Sequence, residues 1–172
     1  HLVAASTIVA ANRDSNLTLI LEEGNVICDS RPLNWILKYF NISTPHIRGT
    51  DFMRAVLNSN ISRNHVFIGS SPENLKKIEN LFNHNYPNQK FFSSLSPKFG
   101  FNLNEILDYV DTFHEEKNLV YWIALGSPLQ DYIASKVFER TQKNTIAIGA
   151  AVDFFTGTLR EAPKILRNHG WE

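Results

Sequence analysis

Three side chains stand where they can do chemistry on a phosphorylated or hydroxylated ligand. Asp29 directly follows the apolar run NVIC (25–28), so its carboxylate projects from a strand end, where it can act as a general base. Arg48 sits in HIRGTDF, a loop before a new helix, and offers a fixed cation for an anion. Gln130 falls in the first turn after ALGSP, close enough to a strand end to reach into a crevice. Two corners share one design. FIGSSPENL and ALGSPLQDY each place glycine (Gly69, Gly126) where the backbone turns, serine (Ser70, Ser127) as a candidate cap, and proline (Pro128 in the second) at the helix start. Such a corner is either a well-made cap or a place where a nucleotide diphosphate rests on helix N–H groups. Neither is a P-loop or a GxGxxG fingerprint, and no Asp-x-Asp is present to hold a divalent ion. His46 and His65 have no metal-ligand spacing and read as ordinary loop or strand-edge residues, while Trp122 reads as core.

Positioning these residues requires an alternation of strands and helices. Short β-branched or aromatic runs occur at 25–28, 65–69, 90–94, 119–125 and 145–150. Between them, Leu75, Ile78 and Phe82, then Leu103, Ile106, Leu107 and Val110, then Leu129, Tyr132, Ile133 and Val137 repeat at helical spacing. The pattern predicts an α/β domain with a mostly parallel sheet and helices on both faces. In such sheets ligands gather beyond the carboxyl ends of the strands. With no low-complexity linker, residues 1–172 read as one domain.

Composition narrows the function classes. Seventeen basic residues balance seventeen acidic ones, so no global field draws the chain to nucleic acid. Cys28 is the only cysteine, which excludes an internal disulfide and a Cys-rich zinc site and reads as a buried thiol in a reducing cytoplasm. No apolar run reaches the roughly 18 residues of a membrane span, and no signal-peptide pattern opens the sequence.

Read in order, several segments resemble the WecG/TagA/CpsF glycosyltransferases. ICDSRPLNW is similar to that family's strand-Asp-Gly-x-(P)-L element, HIRGTDF to its R-x-x-G-x-D-L/F element, and VFIGSSPENLKKIENLFNHNYP to its strand, glycine turn and helix ending in Tyr-Pro. SPKFGF follows in place, GSPLQDYIA resembles G-x-P-x-Q-E-x-W/I, and IGAAVDFFTGTLREAPKILRNHGWE resembles G-x-G-x-x-F-D-x-x-x-G-x-x-x-R-A-P. The resemblance implies a Rossmann-like fold and a bacterial, metal-independent, inverting transfer. The sugar would be N-acetylmannosamine, its uronic acid or a related hexose unit, moved from a UDP-sugar to a polyprenyl-diphosphate-linked saccharide. The product would belong to wall teichoic acid, enterobacterial common antigen or exopolysaccharide. It implies no cofactor beyond the UDP-sugar donor, a place at the inner face of the bacterial cytoplasmic membrane, and a possible homo-oligomer. Asp29 would then be the base, and Arg48 and the 69–72 and 126–128 turns would meet the departing diphosphate. Gln130 would contact the sugar or diphosphate, and Gly149 and Asp153 would shape the last strand's turn.

The departures from the pattern carry expectations of their own. The family's Asp-Gly is here Asp29-Ser30, which would strain the loop if that position needs a positive φ. Its Gln-Glu is Gln130-Asp131, and the arginine before Ala-Pro is Glu161, which leaves Arg160 as the nearby cation. The family's N-terminal Thr-x-Asn turn has only Thr7 as a substitute, and relatives continue beyond HGWE into a basic, aromatic segment that touches the membrane. The sequence is therefore expected to be a core without those two segments. Two rival classes stand beside this one: a catalytically silent nucleotide-sugar-binding domain, and another Rossmann-like nucleotide-dependent enzyme.

Overall fold

The computed structural model describes residues 1–161. In chain order the elements are β1 (Leu2–Val3), α1 (Ala5–Ala11), α2 (Ser15–Glu23), β2 (Ile27–Cys28), α3 (Arg31–Tyr39), α4 (Gly49–Leu57), β3 (Asn64–Gly69) and α5 (Pro72–Asn85). They continue with β4 (Lys90–Leu95), α6 (Leu103–Asp111), β5 (Leu119–Ala124), α7 (Leu129–Thr141), β6 (Asn144–Ala147) and α8 (Ala151–Phe155). Four parallel strands form the main sheet in the order β4-β3-β5-β6, and β1 pairs with β2 in a separate parallel pair. The fold is α/β and Rossmann-like.

Alternation along the central strands explains why helices cover both faces. Phe67, Val120 and Trp122 point to one side, where Met53 and Leu57 of α4, Leu75, Ile78 and Phe82 of α5, and Ala151 and Val152 of α8 pack against them. Val66, Ile68, Tyr121 and Ile123 point to the other, against Ile106 and Val110 of α6 and Ile133, Ala134 and Val137 of α7. The run LVYWIA is apolar on both phases because β5 is buried on both faces. A third cluster, Val3, Ala11, Leu17 and Leu21, seats α1 and α2 beside Tyr132 of α7.

His65 corrects the expectation of a loop or strand-edge residue. It lies in the central strand β3, fully buried, because the residues around it supply polar partners for both ring nitrogens. Trp122 Nε1 donates to its Nδ1 at 2.8 Å, so Nε2 carries the proton and donates to Gln89 Oε1 at 2.9 Å. Gln89 Nε2 completes the chain at the carbonyls of Ser59 and Ile61. Burial pushes the His65 pKa down to about 4, against the smaller opposing effect of the Gln89 bond. The unfolded chain, with an ordinary imidazole, therefore binds one more proton between about pH 4 and 6.5, and folding stability falls as pH falls through that window. Acidification from pH 7 to 4.5 is expected to cost the wild type about 2 to 3 kcal/mol more than His65→Gln. Urea unfolding of both proteins at the two pH values checks this, and equal slopes would contradict it.

The two glycine corners differ in detail. In the first, the cap of α5 is Ser71, which accepts from Asn74 N with Pro72 in the first turn, and not Ser70, whose φ of +63° places it in the turn before the helix. In the second, the Ser127–Pro128 bond is cis and Pro128 itself occupies the cap position of α7, so Ser127 does not cap the helix. Its hydroxyl donates instead to Asp131 Oδ2 at 3.2 Å.

Candidate active site

A cavity of about 680 Å³ opens beside the carboxyl ends of β2, β5 and β6. Its walls come from β1, α1, α3, α4, α7 and α8 and the turns that lead into them. β2 ends in Asp29, and Ser30 begins α3 by accepting from Leu33 N, with Arg31 and Pro32 in its first turn. Ser30 has φ −110° and ψ 122°, ordinary extended backbone, so serine after Asp29 introduces no strain. The family-like Asp-Gly to Asp-Ser change thus leaves the direction of the carboxylate to a normal helix cap.

Asp29 Oδ1 accepts from Gly49 N at 2.7 Å, which ties the end of β2 to the first residue of α4. That bond brings Asp29 and Arg48 onto one wall, 19 positions apart in sequence. Arg48 Nη1 lies 3.4 Å from Glu161 Oε2, and Arg54 Nη2 lies 3.4 Å from Glu161 Oε1. Glu161, where the family pattern has a cation, therefore bridges two arginines, and Arg160 beside it lines the cavity.

Gln130 approaches from α7, almost wholly buried. It lies against the turn at Gly149, whose φ is +60° and where an added Cβ would come within 3.1 Å of Gln130 Oε1. Glycine there lets the amide lie flat on the turn. Gln130 Oε1 and Thr50 Oγ1 are both buried and without a hydrogen-bond partner among the described residues. Buried polar atoms are normally satisfied, so two orphans in one cavity wall indicate a ligand that completes them.

Of the residues singled out from the sequence, Asp29, Arg48, Gln130, Gly126, Ser127 and Gly149 line this cavity. Pro128 does not, although Ser127 before it and Gln130 two positions after it do. Gly69, Ser70 and Asp153 lie apart from the wall, in a polar network: Ser70 Oγ donates to Asp153 Oδ1 at 3.1 Å, and Asn74 Nδ2 donates to the same oxygen. Gly69, with φ +104°, packs so closely on β5 that an added Cβ would sit 2.2 Å from the Ala124 carbonyl oxygen. The crevice between β3 and β5 is filled by backbone at that point.

Sequence reasoning passed over Thr50, Arg31 and Ser6, which also line the cavity. Thr50 lies inside the HIRGTDF segment but is a small hydroxyl whose value shows only once it is buried. Thr7, considered only as a weak substitute for a missing hydroxyl, is buried in the wall. Since Ser127 gives its one proton to Asp131, the Thr7 hydroxyl donates to Ser127 Oγ at 3.0 Å. Asp131 is fully buried and also contacts His1 Nδ1 at 2.8 Å.

Among the described residues no group of three His, Cys, Asp or Glu side chains could hold a metal ion. No helix among them is long and apolar enough to cross a membrane. Among the described residues that line the cavity, Asp29 is the one carboxylate and Arg31, Arg48 and Arg160 bring three guanidinium groups, an arrangement suited to an anionic ligand. No individually curated protein matches the chain. The profile described as Glycosyl transferase WecG/TagA/CpsF family matches residues 2–172. With the match running over essentially the whole sequence and the fold being Rossmann-like, this chain belongs to the WecG/TagA/CpsF family of glycosyltransferases.

Proposed function

We propose that the chain transfers a hexose-type sugar, N-acetylmannosamine, its uronic acid or a related unit, with inversion from a UDP-sugar to a polyprenyl-diphosphate-linked saccharide. The cavity that joins Asp29, Arg48 and the orphaned Gln130 and Thr50 atoms is the observation that carries this reading. The enzyme would work at the inner face of the bacterial cytoplasmic membrane, in the synthesis of a teichoic acid or exopolysaccharide.

In this reading Asp29 takes the proton of the acceptor hydroxyl as its oxygen attacks the anomeric carbon, and the C–O bond to UDP breaks on the opposite face. The Gly49 N–H holds Oδ1, so the carboxylate is aimed before the acceptor arrives. Negative charge grows on the departing diphosphate, and Arg48, Arg160 and the N–H groups at the start of α4 meet it. Gln130 and Thr50 supply the amide and hydroxyl that fix the sugar or diphosphate.

A panel of UDP, NAD and S-adenosylmethionine, read by thermal shift, tests the donor class, because a ligand bound only by the folded state raises its apparent stability. UDP alone is expected to raise the melting temperature; a shift with NAD instead would move the chain to a different nucleotide-dependent chemistry. The diphosphate assignment makes a second prediction. Arg48→Ala is expected to weaken UDP affinity by about tenfold, the scale of one lost charge-assisted hydrogen bond, while excess EDTA leaves wild-type turnover unchanged. A strict requirement for Mg²⁺ or Mn²⁺ would contradict the arginine assignment.

A further inference from the structure

The helix that opens the cavity has its polarity reversed. In α3 the most buried side chain is polar: Asn34, 4% exposed, donates from Nδ2 to the Thr44 carbonyl at 2.9 Å. The opposite face is apolar and open, with Trp35 49% exposed, Ile36 55%, Tyr39 82%, and Phe40 at the helix end 65%. At 100° per residue, Pro32, Trp35, Ile36 and Tyr39 fall within one arc centred opposite Asn34. Ile42, in the segment that follows, is also half exposed. An apolar face of this kind does nothing for the chain's own core.

We propose that this face of α3 docks on an anionic bilayer surface. Three observations favour a bilayer over a second protein. Residues 30–45 carry two cations, Arg31 and Lys38, and no carboxylate; at 100° per residue both lie on the Asn34 side of the helix and flank the apolar arc, where a cation can reach acidic headgroups beside a buried apolar face. Its large side chains include Trp35 and Tyr39, whose ring bodies are apolar and whose N–H and O–H tips suit the headgroup level. The helix is only nine residues long, and a face of that size is smaller than the roughly 800 Å² per partner buried in a stable dimer.

The placement connects to the site. Ser30, Arg31 and Pro32 at the start of α3 line the cavity, so docking this helix sets the cavity mouth at the height of the headgroups. A lipid-borne acceptor would then present its polar end to Asp29 without leaving the bilayer. This deepens the glycosyltransferase reading and rests on it for the acceptor, although surface binding itself needs no catalysis.

The test is co-sedimentation with vesicles of equal phosphatidylglycerol and phosphatidylcholine, comparing the wild type with the triple variant Trp35→Ser, Tyr39→Ser, Phe40→Ser. The variant should melt at the wild-type temperature, since the three side chains are exposed, and should lose at least tenfold in partitioning. Brominated lipid should quench wild-type tryptophan emission more than that of Trp35→Phe, and Lys38→Glu should reduce partitioning on anionic but not on neutral vesicles. Equal binding by the triple variant, or no binding by the wild type, overturns the proposal. So does a concentration-dependent dimer in sedimentation velocity that the triple variant abolishes, which would assign the face to a second copy. UDP affinity measured on the same proteins separates the two ideas: its absence in the wild type sinks the donor reading and leaves the vesicle result standing.

Discussion

Replacing Asp29 by Asn is expected to lower sugar transfer by roughly 100-fold or more while UDP affinity stays within a few fold of wild type. Asn is the informative substitution because it retains an Oδ1 acceptor for the Gly49 N–H, so the junction between β2 and α4 is preserved and only the basicity is removed. A hundredfold loss corresponds to about 2.7 kcal/mol on the barrier, a usual share for a positioned base. In the proposed reading the ground-state contacts to the diphosphate fall to Arg48 and Arg160, which the substitution leaves alone. Steady-state transfer assays paired with calorimetric UDP titration make the separation. Wild-type turnover in Asp29→Asn would leave the carboxylate with only its helix-capping role.

The largest effect on stability is expected at Gly69. Alanine there must adopt φ +104° and place a Cβ 2.2 Å from the Ala124 carbonyl oxygen, which is backbone and cannot rotate away. Strain and overlap together should cost about 3 kcal/mol or more, because β3 and β5 must separate where Gly69 pairs with Ala124 at their carboxyl ends. Gly126 is the control. Its φ is +80° but nothing lies within 4 Å of an added Cβ, so Gly126→Ala should cost about 1 kcal/mol from backbone strain alone. Urea denaturation of both variants checks the ordering; equal midpoints would mean that the close approach of Gly69 to β5 does not matter.

The contrast between these glycines shows where the sequence was legible. Runs buried on both faces, such as HVFIG and LVYWIAL, stand out because central parallel strands have no polar phase to confuse them, and they appear as β3 and β5. The helices seeded by Leu75 and Leu103 appear with their apolar faces where the spacing puts them, and so does α7 from Ile133 onward, but Leu129 at its start is 43% exposed while the polar Gln130 and Asp131 beside it are buried. The two-residue strands β1 and β2 carry too little periodicity to be read beyond the apolar NVIC, and α3 defeats the amphipathic rule because its outward face is the apolar one. Asp29 and Gln130 were readable from their position beside strand ends and glycine turns.

Which glycine corner opens on a cavity was not readable. FIGSSP and ALGSP look equivalent as strings, yet Gly69 is packed against β5 and Ser70 is engaged with Asp153 away from the cavity, whereas Gly126 has open space around it and Ser127, bonded to Thr7 and Asp131, lines the cavity. That difference depends on what lies across the sheet, which no local pattern encodes. Thr50, Arg31 and His65 were missed for a related reason. A hydroxyl or an imidazole becomes telling only when burial removes water from around it, as it does for Thr50 in the cavity wall and His65 beneath Trp122.

The central claim is that the UDP-sugar occupies the cavity between β2, α4 and the start of α7. Titrating UDP into ¹⁵N-labelled protein and following amide chemical shifts tests it most directly. The account predicts saturable shifts concentrated at Ser30, Gly49, Thr50, Gly126, Gln130 and its side-chain amide, and Gly149, with the amides of Gly69 to Asn74 little changed. Shifts centred instead on Gly69 to Asn74 and Asp153, or no saturable response to UDP, would contradict it.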